Sequence, residues 1–354
     1  MKGADRDMRL RRYALVSLVG VGFGWLTATP APVAGQAANA AARATGTSAL
    51  ARLPDGHPDL QGFWTNATFT PLERSPELGA KEFFTEAEAA AYEKERRLRE
   101  NSQAKDDLHY DNVIWQGQDH GKAVSNRRTS LIFDPPDGRI PPLTQNGQRL
   151  AAARREAARR REAAESVESR NLAERCITWG ADGPPMLGST YNANLQIMQT
   201  AESVVIHHEM IHGIRVIPLD GRPHLAAGIR QLTGDSRGHW EGDTLVVDST
   251  NFTDHTNFRA APANSRQDIF SSRDLHVVER FTATDADSIL YRFTVEDPSV
   301  WTGPWSGELV LRRIEGPILE YACHEGNYGL TNILAGARVA EKAATEAAAK
   351  KSPK

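Results

Sequence analysis

Two cysteines are all that this 354-residue chain contains, Cys176 and Cys323. Neither belongs to a C-x-x-C pair or to a finger-like array, so the spacing of a zinc–thiolate site is missing. In an oxidising compartment two cysteines are expected to form one disulfide. Closing a loop of 147 residues is worth about 5 kcal/mol in the chain-entropy treatment. Two buried thiols are the alternative, since free cysteine packs as a small hydrophobe. Charge of one sign is also lacking: the net value of −3 gives no reason to expect a nucleic-acid partner. There is no G-x-x-x-x-G-K-[ST] loop and no dinucleotide fingerprint, so the sequence signatures of nucleotide-handling enzymes are absent.

Long hydrophobic runs are missing too, with one exception in the first forty residues. Arg9, Arg11 and Arg12 precede "YALVSLVGVGFGWLTA", and small residues around "AGQAANA" follow. That is the three-part layout of a secretory signal over residues 1–40, with cleavage after Ala37 or Ala40. The run is short for a membrane span, which disfavours an uncleaved anchor. Arg11-Arg12 followed by Leu15 is compatible with twin-arginine export. The expectation is a periplasmic or secreted protein with no stable membrane span after signal removal. Its body would carry a net charge of −6, since the segment holds five basic and two acidic residues.

Composition changes divide the rest. Residues 41–56 read as an Ala/Thr/Ser/Gly linker. Residues 57–175 form an N-terminal segment with two expected helices. The first, Thr85–Glu100, opens with Thr85 and Glu88 in capping-box spacing. The second covers 146–175, almost wholly Ala, Arg and Glu. Its acids interleave with its bases, as in Glu156–Arg160 and Arg161–Glu165, which suits a solvated helix better than a basic nucleic-acid arm. Residues 129–142 read as a short strand followed by a proline-punctuated loop.

From Cys176 the pattern is β. "LQIMQT", "SVVIHHEM", "GIRVIPL", "TLVVDST", "LHVVERFTA", "SILYRFTV", "ELVLRRI" and "ILEYAC" are short and rich in β-branched and aromatic residues. "PLDGRP", "TGDSRGHWEGD" and "TDADS" separate them as turns. These strands predict an antiparallel meander over 176–335, closed into a barrel because closure removes sheet edges. Residues 336–354 are a C-terminal tail.

One stretch inside this β region spells a different motif. His208–His212 reads H-E-M-I-H, the pattern of zinc proteases, with His224 as a candidate third ligand. A zinc site needs His208 and His212 on one helical turn with Glu209 polarising a metal-bound water. Val204, Val205 and Ile206 before the motif, and Ile214, Val216 and Ile217 after it, favour a strand. In a strand, two imidazoles four residues apart are separated by roughly 13 Å, too far to share an ion. The strand reading therefore predicts no cofactor; the zinc hydrolase is its alternative. A calcium reading of Asp235, Glu241, Asp243 and Asp248 lacks EF-hand spacing.

Charged residues inside apolar strand faces are the other candidates. Glu279 shares a face with Leu275, Val277 and Phe281, and Arg215 with Gly213 and Ile217. Together with His207, Glu209 and His324 they make the candidate catalytic set, provided that they converge inside the barrel. A structural ion-pair network is the alternative use. Trp240 is expected to cover a barrel end. Trp64, Trp115, Trp179, Trp301 and Trp305 are candidates for ligand stacking or for the core.

"PPDGRIPPL", "IRVIPLDGRPH", "GDSRGHWEGDTLVVDSTNF", "VVERF", "VEDP" and "EYACHEGNYGL" resemble a family of secreted bacterial proteins marked by a W-E-G-D-T-L-V-V segment. Its β-rich body in turn resembles calycin or lipocalin-like barrels. The resemblance covers most of residues 53–338 and implies an exported, β-rich protein; it brings no activity or cofactor with it. The function expected is binding of a small, mostly apolar molecule in the barrel, with acid/base chemistry of a hydrolase or lyase kind open. A structural or partner-binding envelope protein is the remaining alternative.

Overall fold

The computed structural model describes residues 50–101, 125–162, 164–188, 190–258 and 269–351. The expected signal segment, most of the linker and Trp115 lie outside these residues. No helix among the described residues is long and apolar enough to cross a membrane.

The strand segments behave as their two-residue period dictates. In β11, Ser288–Glu296, Ile289, Tyr291, Phe293 and Val295 point inward and are buried, while Arg292 faces out. The same alternation buries Val277, Glu279 and Phe281 of β10, His276–Asp285, and Trp305, Leu309 and Leu311 of β12, Trp305–Arg313. Five further segments are strands in order: β3 (Asn194–Gln199), β4 (Ser203–His208), β5 (Ile214–Pro218), β6 (Asp235–Glu241) and β7 (Thr244–Thr250). They form one antiparallel sheet in the order β5-β4-β3-β1-β12-β11-β10-β7-β6, where β1 is Gly62–Thr65. The nine strands curl into a nearly closed barrel. A two-stranded ribbon, β8 (Asn257–Phe258) with β9 (Ile269–Phe270), stands apart from that sheet.

The seam lies between β5 and β6, which approach each other without a backbone ladder. Gly238 on β6 makes that approach fit. A Cβ there would stand 2.6 Å from Leu219 Cδ2 and 2.9 Å from Ile217 Cγ2. The side chains arriving from the β5 side thus occupy the space that any larger residue would need.

Four expectations change. The barrel is not confined to residues after Cys176, because β1 fills the gap between β3 and β12. "TGDSRGHWEGD" is mostly strand β6; Thr233 turns before it and Gly242–Asp243 after it, with Gly242 at a φ of 59° suited to a two-residue hairpin. "ILEYAC" forms no strand. β12 already pairs with β11 on one edge, and with β1 and β2 (Ile132–Asp134) on the other, so no edge remains for it. The Ala/Arg/Glu helix, α2, runs Gln145–Glu162 and stops well before 175. Beyond it Ser169 Oγ donates to the Ser166 carbonyl (2.7 Å) and Glu174 N to Asn171 Oδ1 (2.8 Å), local bonds that compete with helix continuation.

Helix α1, Glu86–Asn101, carries the expected box: Glu88 N donates to Thr85 Oγ1 (3.3 Å) and Thr85 N to Glu88 Oε2 (2.8 Å). The last helix, α3, is longer than the expected tail and spans Tyr328–Lys351. Cys176 and Cys323 are disulfide-bonded, stapling the irregular stretch after α2 to the one after β12. Inside the barrel, Phe281, Tyr291, Phe293, Trp305 and Trp301 follow one another with ring centroids 5.0–5.8 Å apart. Trp64 joins this packed core, so Trp64, Trp301 and Trp305 serve packing.

Gly238→Val is expected to destabilise the fold by about 1–3 kcal/mol, because the branched side chain overpacks the seam. An unchanged urea-unfolding midpoint would show that β5 and β6 do not close on each other.

Candidate functional site

Arg215 is the second residue of β5 and points inward, because Ile214 and Val216 take the outer face. Its guanidinium crosses the interior to Glu279 on β10. Nη1 donates to Oε1 at 3.0 Å and Nη2 to Oε2 at 2.5 Å, a bidentate pair with both side chains buried. Nη2 also reaches Ser236 Oγ on β6 at 3.3 Å, and Ser236 and Ser249 hydroxyls lie 2.8 Å apart across β6 and β7. Tyr291 OH donates to Glu279 Oε1 (2.8 Å) and accepts from Met186 N (2.8 Å). Burial, helped by the negative charge of Glu279, raises the Tyr291 phenol well above its ordinary pKa, so it stays a donor. Burial opposes charge on Arg215, but attraction and hydrogen bonds from Glu279 outweigh it and raise its pKa.

A second pair adjoins this one. His208 ends β4 on the inner face, diagonal to Arg215, which registers opposite Ile206. Its Nδ1 stands 3.8 Å from Asp182 Oδ1, close but beyond hydrogen-bond length. Burial, then the Arg215 charge and His207, push the His208 pKa down to about 3. Burial alone raises the Asp182 carboxyl well above its ordinary 3.8. Burial thus disfavours charge on both groups, the imidazole of His208 and the carboxyl of Asp182. Two buried atoms here lack hydrogen-bond partners among the described residues: His208 Nε2 and Arg215 Nε. An unmet buried polar atom costs about 1–3 kcal/mol, so this corner of the barrel is held at an energetic disadvantage.

The two shifts act oppositely on stability. The neutral His208 is favoured, so its contribution is present above pH 6.5 and is lost as pH falls toward about 3. The protonated Asp182 is favoured, so its contribution is present below 3.8 and is lost as pH rises through the raised value.

The remaining expected residues scatter. Glu209 is buried outside this cluster. It accepts from Asn192 Nδ2 (2.9 Å), Asn194 Nδ2 (3.2 Å) and Leu319 N (2.9 Å), which ties the stretch after β12 to the end of β4. His207 faces outward from β4, and His324 is exposed in the stretch between β12 and α3. Of the five, only Arg215 and Glu279 meet. The H-E-M-I-H residues are neither a continuous strand nor an α-helix. β4 stops at His208, and Met210–His212 form a 3-10 turn in which Ile211 and His212 adopt φ of 51° and 43°. His208 points in, His212 is exposed, and His224 pairs with Asp235 and Asp248 on the outer wall. No three potential ligands converge among the described residues.

Asp182 and Tyr291 are outside the expected set, and His208 enters it only as a zinc ligand of the alternative reading. A signal for His208 existed, since it lies on the more apolar face of its strand. Asp182 sits in an irregular stretch where no period marks it. Gly234–Gly238 also spells G-D-S-R-G, the letters of a nucleophile elbow. It lies in strand β6 rather than at a strand–helix turn, and Ser236 bonds Ser249 and Arg215 instead of a histidine.

Around the same barrel end, Leu172, Thr178, Trp179, Pro184 and Leu232 line a pocket of about 20 Å³, room for one water.

Glu279→Leu or Arg215→Met alone should cost about 3–5 kcal/mol, and the double variant far less than their sum, because a single change strands a buried charge. Additive losses in a urea double-mutant cycle would exclude the coupling. In ¹⁵N-histidine spectra, the His208 ring should remain neutral from about pH 8 to about pH 4; protonation near the ordinary 6.5 would contradict its burial. Compared with protein-family models and with curated proteins, the chain matches none, so its function is read from these side chains.

Proposed function

We propose that this is an exported barrel protein that binds a small molecule at the β4–β5 end and moves a proton there through Asp182 and His208. The single observation that supports this reading is His208: a wholly buried imidazole that burial keeps neutral, 3.8 Å from a carboxyl whose charge burial also disfavours, with no hydrogen-bond partner for Nε2 among the described residues. Polar groups are buried unpaired at a cost, and such costs concentrate where a ligand completes the set. With Nδ1 turned to Asp182, the tautomer that carries its proton on Nε2 makes that nitrogen a donor, and Arg215 Nε–H is a second. Two donors call for an oxygen acceptor on the ligand: a carboxylate, carbonyl or phenolic oxygen.

The packed interior supports a site at the barrel end over one in its lumen. The ligand's apolar body would lie against Leu172, Trp179, Pro184 and Leu232, after the one-water pocket they line has widened. Export is supported by the disulfide, by the expected signal segment, and by the resemblance to secreted proteins carrying the W-E-G-D-T-L-V-V run.

Calorimetry with a panel of small aliphatic and aromatic carboxylic acids and phenols tests the reading. Binders should lose at least about tenfold in affinity with His208→Phe, equivalent to one buried hydrogen bond. Equal affinity for the native protein and His208→Phe, or no binder in the panel, would remove the proposal.

A further inference from the structure

The outer wall opposite the inner cluster carries a second set of titratable groups that the proposed site does not use. Asp235 (β6), His224, Asp248 (β7), His276 (β10) and Glu296 (β11) form a continuous chain. His224 Nδ1 lies 3.0 Å from Asp235 Oδ2, and its Nε2 lies 2.9 Å from Asp248 Oδ1. His276 Nε2 lies 2.9 Å from Asp248 Oδ2, and its Nδ1 lies 3.5 Å from Glu296 Oε2. Arg237 adds Nη2 to Asp235 Oδ1 at 3.0 Å. Each of the four imidazole nitrogens thus faces a carboxylate oxygen.

This arrangement selects a protonation state by geometry. A neutral imidazole has one N–H and one lone pair, and a lone pair aimed at a carboxylate repels it. A ring that donates from both nitrogens is doubly protonated, and at His276 the Asp248 and Glu296 contacts favour that form. No ring nitrogen is left to take a proton from a substrate, so the chain is not laid out as a catalytic base. The two rings approach opposite oxygens of Asp248, so they do not converge on a metal position either.

What the chain holds is the connection between β5 and β6, the two strands that flank the seam. Between Gly221 and Ile229 this connection buries no apolar side chain; Leu225 and Ile229 are largely exposed. Its middle is fastened by His224, by Leu225 N donating to Asp235 Oδ2 (2.9 Å), by Arg237 Nε donating to the Pro223 carbonyl (3.2 Å), and by Asn251 Nδ2 donating to the Leu225 carbonyl (2.9 Å). Two of these four end on the same oxygen, Asp235 Oδ2.

We propose that the Asp235–His224–Asp248–His276–Glu296 chain is a proton-operated clasp on the barrel seam: with the His276 ring protonated, Asp248 is held between His276 and His224 and the β5–β6 connection is tied to the outer wall, and loss of that proton frees the connection. The hydrogen bond to Asp248, joined by Glu296, raises the His276 pKa above 6.5, while the His276 bond lowers that of Asp248. The sign follows: for a raised histidine the closed state is fully favoured below 6.5 and is lost as pH rises through the folded value. The clasp is independent of the ligand-binding reading, since it involves none of the inner residues.

Hydrogen exchange on the full-length protein tests it at about pH 5.5 and about pH 8.5, with rates corrected for intrinsic exchange. Amides of residues 221–229 should exchange at least about tenfold faster at the higher pH, the loss of one charge-assisted bond, while β11 amides keep their protection. His276→Gln, which donates without titrating, should flatten that profile. Asp248→Asn, which removes the shared charged acceptor, should leave the connection fast at both values. Equal corrected rates in the native protein, or a native-like profile in both variants, would overturn the clasp.

Discussion

The bidentate contact between Arg215 and Glu279 is the constraint on which the rest of this barrel depends. It spans the interior from β5, at one side of an unladdered seam, to β10 on the far wall. Burying either charge alone is prohibitive, so each side chain requires the other, and both require the barrel to be closed. Ser236 and Tyr291 then have only one place to send their hydroxyls. Through Tyr291 the pair also fixes the backbone at Met186, and with it the stretch that covers the barrel end. An apolar pair of similar volume would pack more cheaply, but it would not hold β5 at one position relative to β10.

Closure is divided between two kinds of interaction. Inside, the ion pair and the Ile217–Leu219–Gly238 contact draw β5 toward β6. Outside, imidazole–carboxylate contacts hold the connection that runs between those strands. The inner contacts are shielded from solvent. The outer ones are half-exposed, and the protonation of His276 acts on them. His208 and Asp182 adjoin Arg215 at the β4–β5 end of the barrel. That corner is dry enough to perturb two pKa values.

Much of the β architecture was legible from residue spacing, because alternation of apolar and polar side chains carries the face assignment of each strand. Arg215 and Glu279 were readable as inward for that reason. Register across the barrel was not readable, so their meeting could not be separated from the scatter of Glu209, His207 and His324. The H-E-M-I-H letters show how a motif loses its meaning with its conformation. β-branched neighbours on both sides commit the chain to a hairpin, and the hairpin turns at the motif instead of coiling through it.

What the sequence by itself determined is local: which segments are strands, where α1 is capped, that two cysteines suit one bridge, and which face each charged residue takes. The tertiary structure alone decided that β1 enters the wall, that "ILEYAC" finds no edge, and that Asp182 lies against His208. These outcomes hang on competition for a limited number of sheet edges and on contacts between residues far apart in the chain. Side-chain periodicity encodes a face, not a partner, and a partner is chosen only when the whole barrel closes.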